Sequence, residues 1–150
     1  MSREQVKAVA ESQKRAQSEA EKLQLAHAAA VHDCERLAGE ILALQRSIQA
    51  CKESRARLTT HDEELRREEA AALIELQSAM QSRNTVSFTH LGVAVDTIRS
   101  AIQALRMDIV ANSIRIEEEE KELCGKRTDL CRKQQALEEN QTVSDSLGDE

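Results

Sequence analysis

The chain contains no proline, no tryptophan and no tyrosine, a single phenylalanine and four glycines. Aromatic side chains supply much of the buried area in globular cores. Their near absence from 150 residues argues against an ordinary compact domain. No apolar run approaches the roughly 20 residues needed to cross a bilayer. Charge and glutamine recur from Arg3 to Glu21, where a secretory signal would need an apolar core. The four cysteines, at 34, 51, 124 and 131, form no CxxC pair. Without an export signal the thiols are expected to be reduced. The expected location is intracellular, cytoplasmic or cytoskeletal, with the nucleus as the second choice.

Catalytic signatures are missing as well. There is no GxxxxGK[ST] phosphate loop, no GxGxxG, no HExxH and no GxSxG. A catalytic site needs a concave, water-excluding pocket, for which a coil of two to four helices has little room. The expectation is a chain that is not an enzyme, with no small-molecule substrate, no cofactor and no metal. His27 and Cys34 share a helix face, but seven residues is two turns, about 10.5 Å of rise, too far apart to hold one ion. A register-setting polar residue in a helical seam is the better reading of His27. Cys124 and Cys131 have the same spacing, which forbids an intrahelical disulfide, and read as surface thiols. Cys34 and Cys51 fall at seam positions, where cysteine behaves as a small hydrophobe.

The net charge is −6, with the excess acid concentrated in residues 117–150. A nucleic-acid surface would show a basic patch or stripe, so none is expected. Arg66 and Arg67 are followed at once by Glu68 and Glu69. The acidic run Glu117–Glu122 reads first as a solvated helix face, with a docking site for a basic partner as the alternative.

What the sequence does contain is a seven-residue repeat. Phe88, Val95, Ile102, Ile109, Ile116, Leu123, Leu130 and Leu137 stand seven apart without interruption. Such a repeat keeps one seam aligned between supercoiling helices. In heptad terms these are a positions. Leu91, Ile98 and Leu105 occupy d, followed at d by Asn112, Glu119, Lys126 and Lys133. Upstream, with Val6 at a, the d positions run Val9, Ala16, Leu23, Ala30, Leu37, Leu44, Cys51, Leu58, Leu65, Ala72 and Ala79. The a positions there are mixed and include Gln13, His27, Arg55, Asp62 and Glu69. The strongest stretch combines Leu37 and Leu44 at d with Ile41 and Ile48 at a. Ser2 and Gln5 fit a capping box at the start.

The heptad phase breaks between Leu76 and Phe88, across the polar segment 81–90, QSRNTVSFTH. Asn84, Thr85, Ser87 and Thr89 compete for backbone hydrogen bonds, and no glycine or proline enforces the break. The expected organisation is a long coiled-coil helix over 1–82, a polar connection at 83–87, a second coiled-coil helix over 88–138, and an acidic flexible tail over 139–150.

The fold class is therefore all-α: two long helices with heptad seams. Two arrangements compete, a coiled-coil helical hairpin and an extended parallel coiled-coil rod. A turn near residue 86 places Arg55 opposite Glu118 and Glu119, and Lys133 opposite Glu40, while Lys126 falls near Arg46 and Ser47 without a partner. The rod has attractive g–e pairs of its own, Arg115 with Glu120 and Glu122 with Arg127. The hairpin is preferred because the connection is polar and the seam charges pair better. Hairpins could in turn dimerise into a four-helix bundle.

The seam residues expected to carry association are Leu37, Ile41, Leu44, Ile48, Leu91, Val95, Ile98, Ile102, Leu105, Ile109 and Ile116. Val93, Met107, Val110 and Ile114 lie off that seam, at b and f, which a two-stranded coil leaves in water. They read as a second contact face within 91–116, used either by the first helix or by a partner. The function expected is a structural one: a coiled-coil scaffold subunit of a cytoskeletal, chromosome-segregation or trafficking complex, with protein partners in a homo- or hetero-oligomer. The alternative is a regulatory adaptor that captures a partner's amphipathic helix through 91–116.

Overall fold

A computed structural model describes the backbone of residues 2–148 and the side chains of residues 2–141. The described residues form two helices, α1 over Arg3–Gln81 and α2 over Thr85–Gly148. They pack against each other as a hairpin, with no strand among the described residues. The extended rod is not the fold.

Helix α1 begins with the expected capping box. The Ser2 N–H donates to Gln5 Oε1 at 3.1 Å, and the Gln5 N–H donates back to Ser2 Oγ at 3.2 Å. Each side chain thus satisfies a backbone donor that has no partner inside the helix.

The connection is shorter and earlier than the segment 83–87. It comprises Ser82, Arg83 and Asn84. Arg83 adopts a left-handed backbone conformation, φ 56°. The Asn84 N–H donates to the Ala79 carbonyl at 3.0 Å and the Arg83 N–H to the Met80 carbonyl at 3.3 Å. This is the Schellman arrangement, which ends a helix by satisfying its last carbonyls. Asn84 then serves the next helix, its Oδ1 accepting the Ser87 N–H at 3.2 Å. Because Asn84 is an N-cap, Thr85, Val86 and Ser87 form the first turn of α2 instead of extending the loop. The Thr89 hydroxyl bonds back to the Thr85 carbonyl at 2.9 Å, so it too is accommodated inside the helix. At the other end the α2 backbone is helical beyond residue 138, to Gly148. The side chains of the expected acidic tail fall outside the described residues from 142 onward.

The packing divides into two units, Leu44–Glu122 and Met1–Ala43 with Leu123–Glu150. In the first, Ile48, Cys51, Ala79, Val95, Ile102 and Ile116 are buried, and Leu44, Leu58, Leu65, Leu76, Leu91, Ile98, Leu105 and Ile109 are partly buried. In the second, Leu37, Ile41 and Leu123 are buried, and Cys34, Leu130 and Leu137 partly so. From Ala30 to Ala79 every a and d position of α1 is at least partly buried, and its N-terminal seam residues Val6, Val9 and Leu23 are exposed. Phe88, the first residue of the α2 repeat, is also exposed, beside the turn.

Candidate interaction surface

The polar residues of the seam fix how the two helices face each other. In the unit Leu44–Glu122, Ser47 donates to Glu119 Oε1 at 2.8 Å, Arg55 Nη1 lies 3.4 Å from Ser113 Oγ, Arg106 lies 4.0 Å from Asp62, and Arg99 lies 3.7 Å from Glu69. In the other unit, Lys126 Nζ lies 2.7 Å from Glu40 and Lys133 Nζ lies 3.7 Å from Asp33. The pairs 47/119, 40/126 and 33/133 are all centred on residue 83, where the left-handed Arg83 sits.

This register differs from the one a turn near 86 would give. Arg55 meets Ser113 rather than Glu118 or Glu119. Lys133 meets Asp33 rather than Glu40, and Lys126 is paired rather than stranded. The cause is the turn. Moving it back by three to four residues slides one helix along the other by about one heptad. Every a and d residue stays on the seam, and every charge gains a new neighbour. The d-position lysines of α2 reach the acidic g positions of α1, Lys126 with a side chain 24 % exposed and Lys133 with one 41 % exposed.

Two carboxylates are held inside. Asp62, at an a position, is 6 % exposed. Its Oδ2 lies 3.0 Å from Arg66, and among the described residues its Oδ1 has no hydrogen-bond donor. Glu119 Oε1 receives Ser47 and the Arg115 guanidinium at 3.1 Å, while its Oε2 is likewise buried without a donor. The hydrogen bond to Glu119, with the nearby Cys51 sulfur second, raises the Arg115 pKa. In the acidic run, Lys52 of α1 reaches Glu120 at 3.2 Å, while Lys121 reaches Glu117 at 3.7 Å along the exposed face of α2 itself.

The eleven seam residues named from the sequence divide by position. Leu37, Ile41, Ile48, Val95, Ile102 and Ile116 are buried, and Leu44, Leu91, Ile98, Leu105 and Ile109 are partly buried. Their partners are the facing helix of the same chain. The four residues of the second face behave oppositely. Val93 is 63 % exposed, Met107 67 %, Val110 56 % and Ile114 51 %. Helix α1 packs on the other side of α2 and does not cover them.

The exposed face is wider than those four residues. Thr97, Ala104 and Ala111, at c positions, are exposed beside Val93, Ser100, Met107 and Ile114 at f. Together they form an uncharged stripe running the length of 93–114, ended by Glu118 at c and Lys121 at f. Three of these c residues are small or weakly apolar, so no large side chain signals them; only their register beside the f positions does.

Cys51 is buried and Cys34 partly so, while Cys124 and Cys131 are exposed. Among the described residues no three His, Cys, Asp or Glu side chains gather as a metal ion would require, and no helix is long and apolar enough to cross a membrane. Comparison with known proteins finds no matching family model, no similar curated protein and no similar solved structure.

Proposed function

We propose that this chain is a non-catalytic coiled-coil scaffold subunit, which assembles or spaces components of a multiprotein complex of the cytoskeletal, chromosome-segregation or trafficking type in the cytoplasm. The observation that carries the reading is the division of labour on α2. Val95, Ile102 and Ile116 are spent on the hairpin, while Val93, Met107, Val110 and Ile114 stay exposed on the same turns. A helix that is apolar on two faces is expected to be buried on both. A chain whose own fold covers only one has a use for the other in association. The lack of a basic patch speaks against nucleic acid as the occupant.

A second reading, an adaptor that captures one amphipathic helix through 91–116, draws on the same exposed residues. Cross-linking mass spectrometry on the tagged full-length chain in its source cells separates the two. A scaffold gives cross-links to at least two different proteins at separate stretches of the hairpin in one assembly. Cross-links confined to 91–116 and to a single helical segment favour the adaptor. A chain that cross-links to no other protein under native conditions overturns both.

A further inference from the structure

We infer that the hairpin has a second register one heptad from the observed one, and that its helices slide between the two. In the second register α2 is displaced along α1 by about 10.5 Å, seven residues at about 1.5 Å each. Each α1 seam residue then faces an α2 residue seven places further on, as a turn near residue 86 requires. The inference concerns the chain alone and stands whether or not the scaffold reading does.

The observed register meets its seam charges loosely. Arg55, Asp62 and Glu69 fill three successive a positions of α1. Their polar neighbours across the seam, Ser113, Arg106 and Arg99, stand at 3.4, 4.0 and 3.7 Å. In this register Asp62 shares its layer with Leu105, Glu69 with Ile98, and Glu119 of α2 with Ile48. Asp62 Oδ1 and Glu119 Oε2 are buried with no donor among the described residues. A buried carboxylate oxygen without a donor carries the cost of its lost hydration, and the observed register carries two.

One heptad further on, both gain donors. Arg55 shares a layer with Glu119 and flanks Glu120. Asp62 shares one with Asn112 and flanks Ser113, and Glu69 flanks Arg106. Three seam charges in a row thus meet an opposite charge or a hydrogen-bond donor. In the other unit Glu40 exchanges Lys126 for Lys133. The apolar layers carry over, with Leu58 against Ile116 and Leu65 against Ile109, because the repeat is seven residues long. A slide in the opposite direction sets Arg55 against Leu105, Asp62 against Ile98 and Glu69 against Leu91, and satisfies none of them. The charges therefore give the slide one direction.

The turn is suited to the move. A slide of one heptad shifts it by three to four residues, onto Thr85–Phe88. Arg83 then becomes an ordinary residue of α1, released from its left-handed conformation at φ 56°, which costs any residue but glycine. Thr85, Val86 and Ser87, which leave the helix in its place, are β-branched or hydroxyl-bearing and hold a helix weakly. The losses make the observed register the ground one. Leu91 and Phe88 leave the seam, Arg99 leaves Glu69, and Lys52 leaves Glu120. A partner that grips both helices meets different residue pairs in the two registers and so selects between them.

The test uses the full chain with Cys34 and Cys51 replaced by alanine and Cys124 and Cys131 by serine, at a dilution where only intrachain disulfides form. Leu65→Cys with Ile102→Cys reports the observed register. Leu65→Cys with Ile109→Cys reports the second, and Leu65→Cys with Val95→Cys the slide in the opposite direction. In a glutathione buffer the second pair is expected to close about 10- to 1000-fold less readily than the first, as suits a minor state, and well ahead of the third. Arg83→Gly relieves the observed turn and would place glycine inside α1 in the second register. It is expected to cut closure of the second pair at least about 10-fold relative to the first. Asn112→Leu removes the donor to Asp62 in the second register and should lower the same ratio. Should any of these pairs fail to fold, the comparison moves one heptad along, to Leu58→Cys with Ile109→Cys, with Ile116→Cys and with Ile102→Cys. Closure of the second pair no better than the third, or a ratio of second to first that either substitution leaves unmoved, overturns the proposal.

Discussion

Lys126 occupies a core d position of α2, yet its ammonium lies 2.7 Å from the carboxylate of Glu40, a g residue of α1. The same step repeats one heptad away, where Lys133 lies 3.7 Å from Asp33. A lysine that would be a fault in a two-stranded seam becomes a cross-helix tie, because its stem lies along the apolar seam and its charge leaves at the side.

The tie has a pH signature. The hydrogen bond from Lys126, with that from Arg36 second, holds the Glu40 carboxyl below its ordinary value of 4.5. The unfolded chain then binds a proton at a pH where the folded chain does not. The stabilisation is fully present above 4.5 and is lost as pH falls through the lower folded value. Melting curves should show Glu40→Gln less stable than wild type near neutrality, with the gap closing as pH falls through the acid range, so that the variant loses stability less steeply. Equal acid slopes for the two chains would show that the pair contributes nothing.

The heptads of both helices were legible because a seam repeats at a fixed spacing over many turns. The a and d residues of α1 between Ala30 and Ala79, and the α2 repeat after Phe88, lie on the buried side as the spacing requires. The register was not legible, for a physical reason. A seven-residue slide returns every a and d residue to an equivalent place, so the apolar pattern alone cannot choose between neighbouring registers. The turn chooses, and here it carries Arg83 where glycine usually stands. The polar residues after it pointed to a longer loop, but Asn84 is a cap and Thr85 onward is helix. The second face was legible as four large side chains. Its small members, Thr97, Ala104 and Ala111, carry no such signal until the exposed side of α2 is known.

The turn gives a pair of opposed expectations. A residue other than glycine in the left-handed region costs about 1–2 kcal/mol, so Arg83→Gly should stabilise the chain by about 0.5–1 kcal/mol after the added freedom of the unfolded state is counted. Asn84→Ala removes the acceptor for the Ser87 N–H and should cost about 1 kcal/mol. Urea denaturation checks both. A destabilised Arg83→Gly chain would show that the arginine side chain, not its backbone, matters at the turn.

Two isoleucines give a test of the seam that keeps residue type constant. Ile102 is 5 % exposed and Ile74 is 70 % exposed. Ile102→Ala should cost about 2–4 kcal/mol through lost burial and the void left behind. Ile74→Ala should fall within about 0.5 kcal/mol of wild type. Comparable losses at both sites would mean that the heptad phase of α1 or α2 is misplaced.

Asp62 tests whether the buried charge stabilises the hairpin or only specifies it. Removing one partner of a buried ion pair is costly when the other is left buried and uncompensated. Here the partners are not left that way: Arg66 and Arg106 keep 54 % and 58 % of their side chains exposed and return to water. Leucine at this a position would meanwhile extend the apolar seam, relieve a carboxylate oxygen that lacks a donor, and raise helix propensity. Asp62→Leu is therefore expected to raise stability by about 1–2 kcal/mol, measured by denaturation at a concentration low enough for association to play no part. The gain should come with a looser choice of register, since a polar residue at a single a position penalises slipped pairings. Hydrogen exchange should then show weaker protection near the turn, where slipped pairings differ most, even as the global stability rises. A loss of stability in Asp62→Leu would show instead that the Arg66–Asp62–Arg106 cluster is net favourable in its own right.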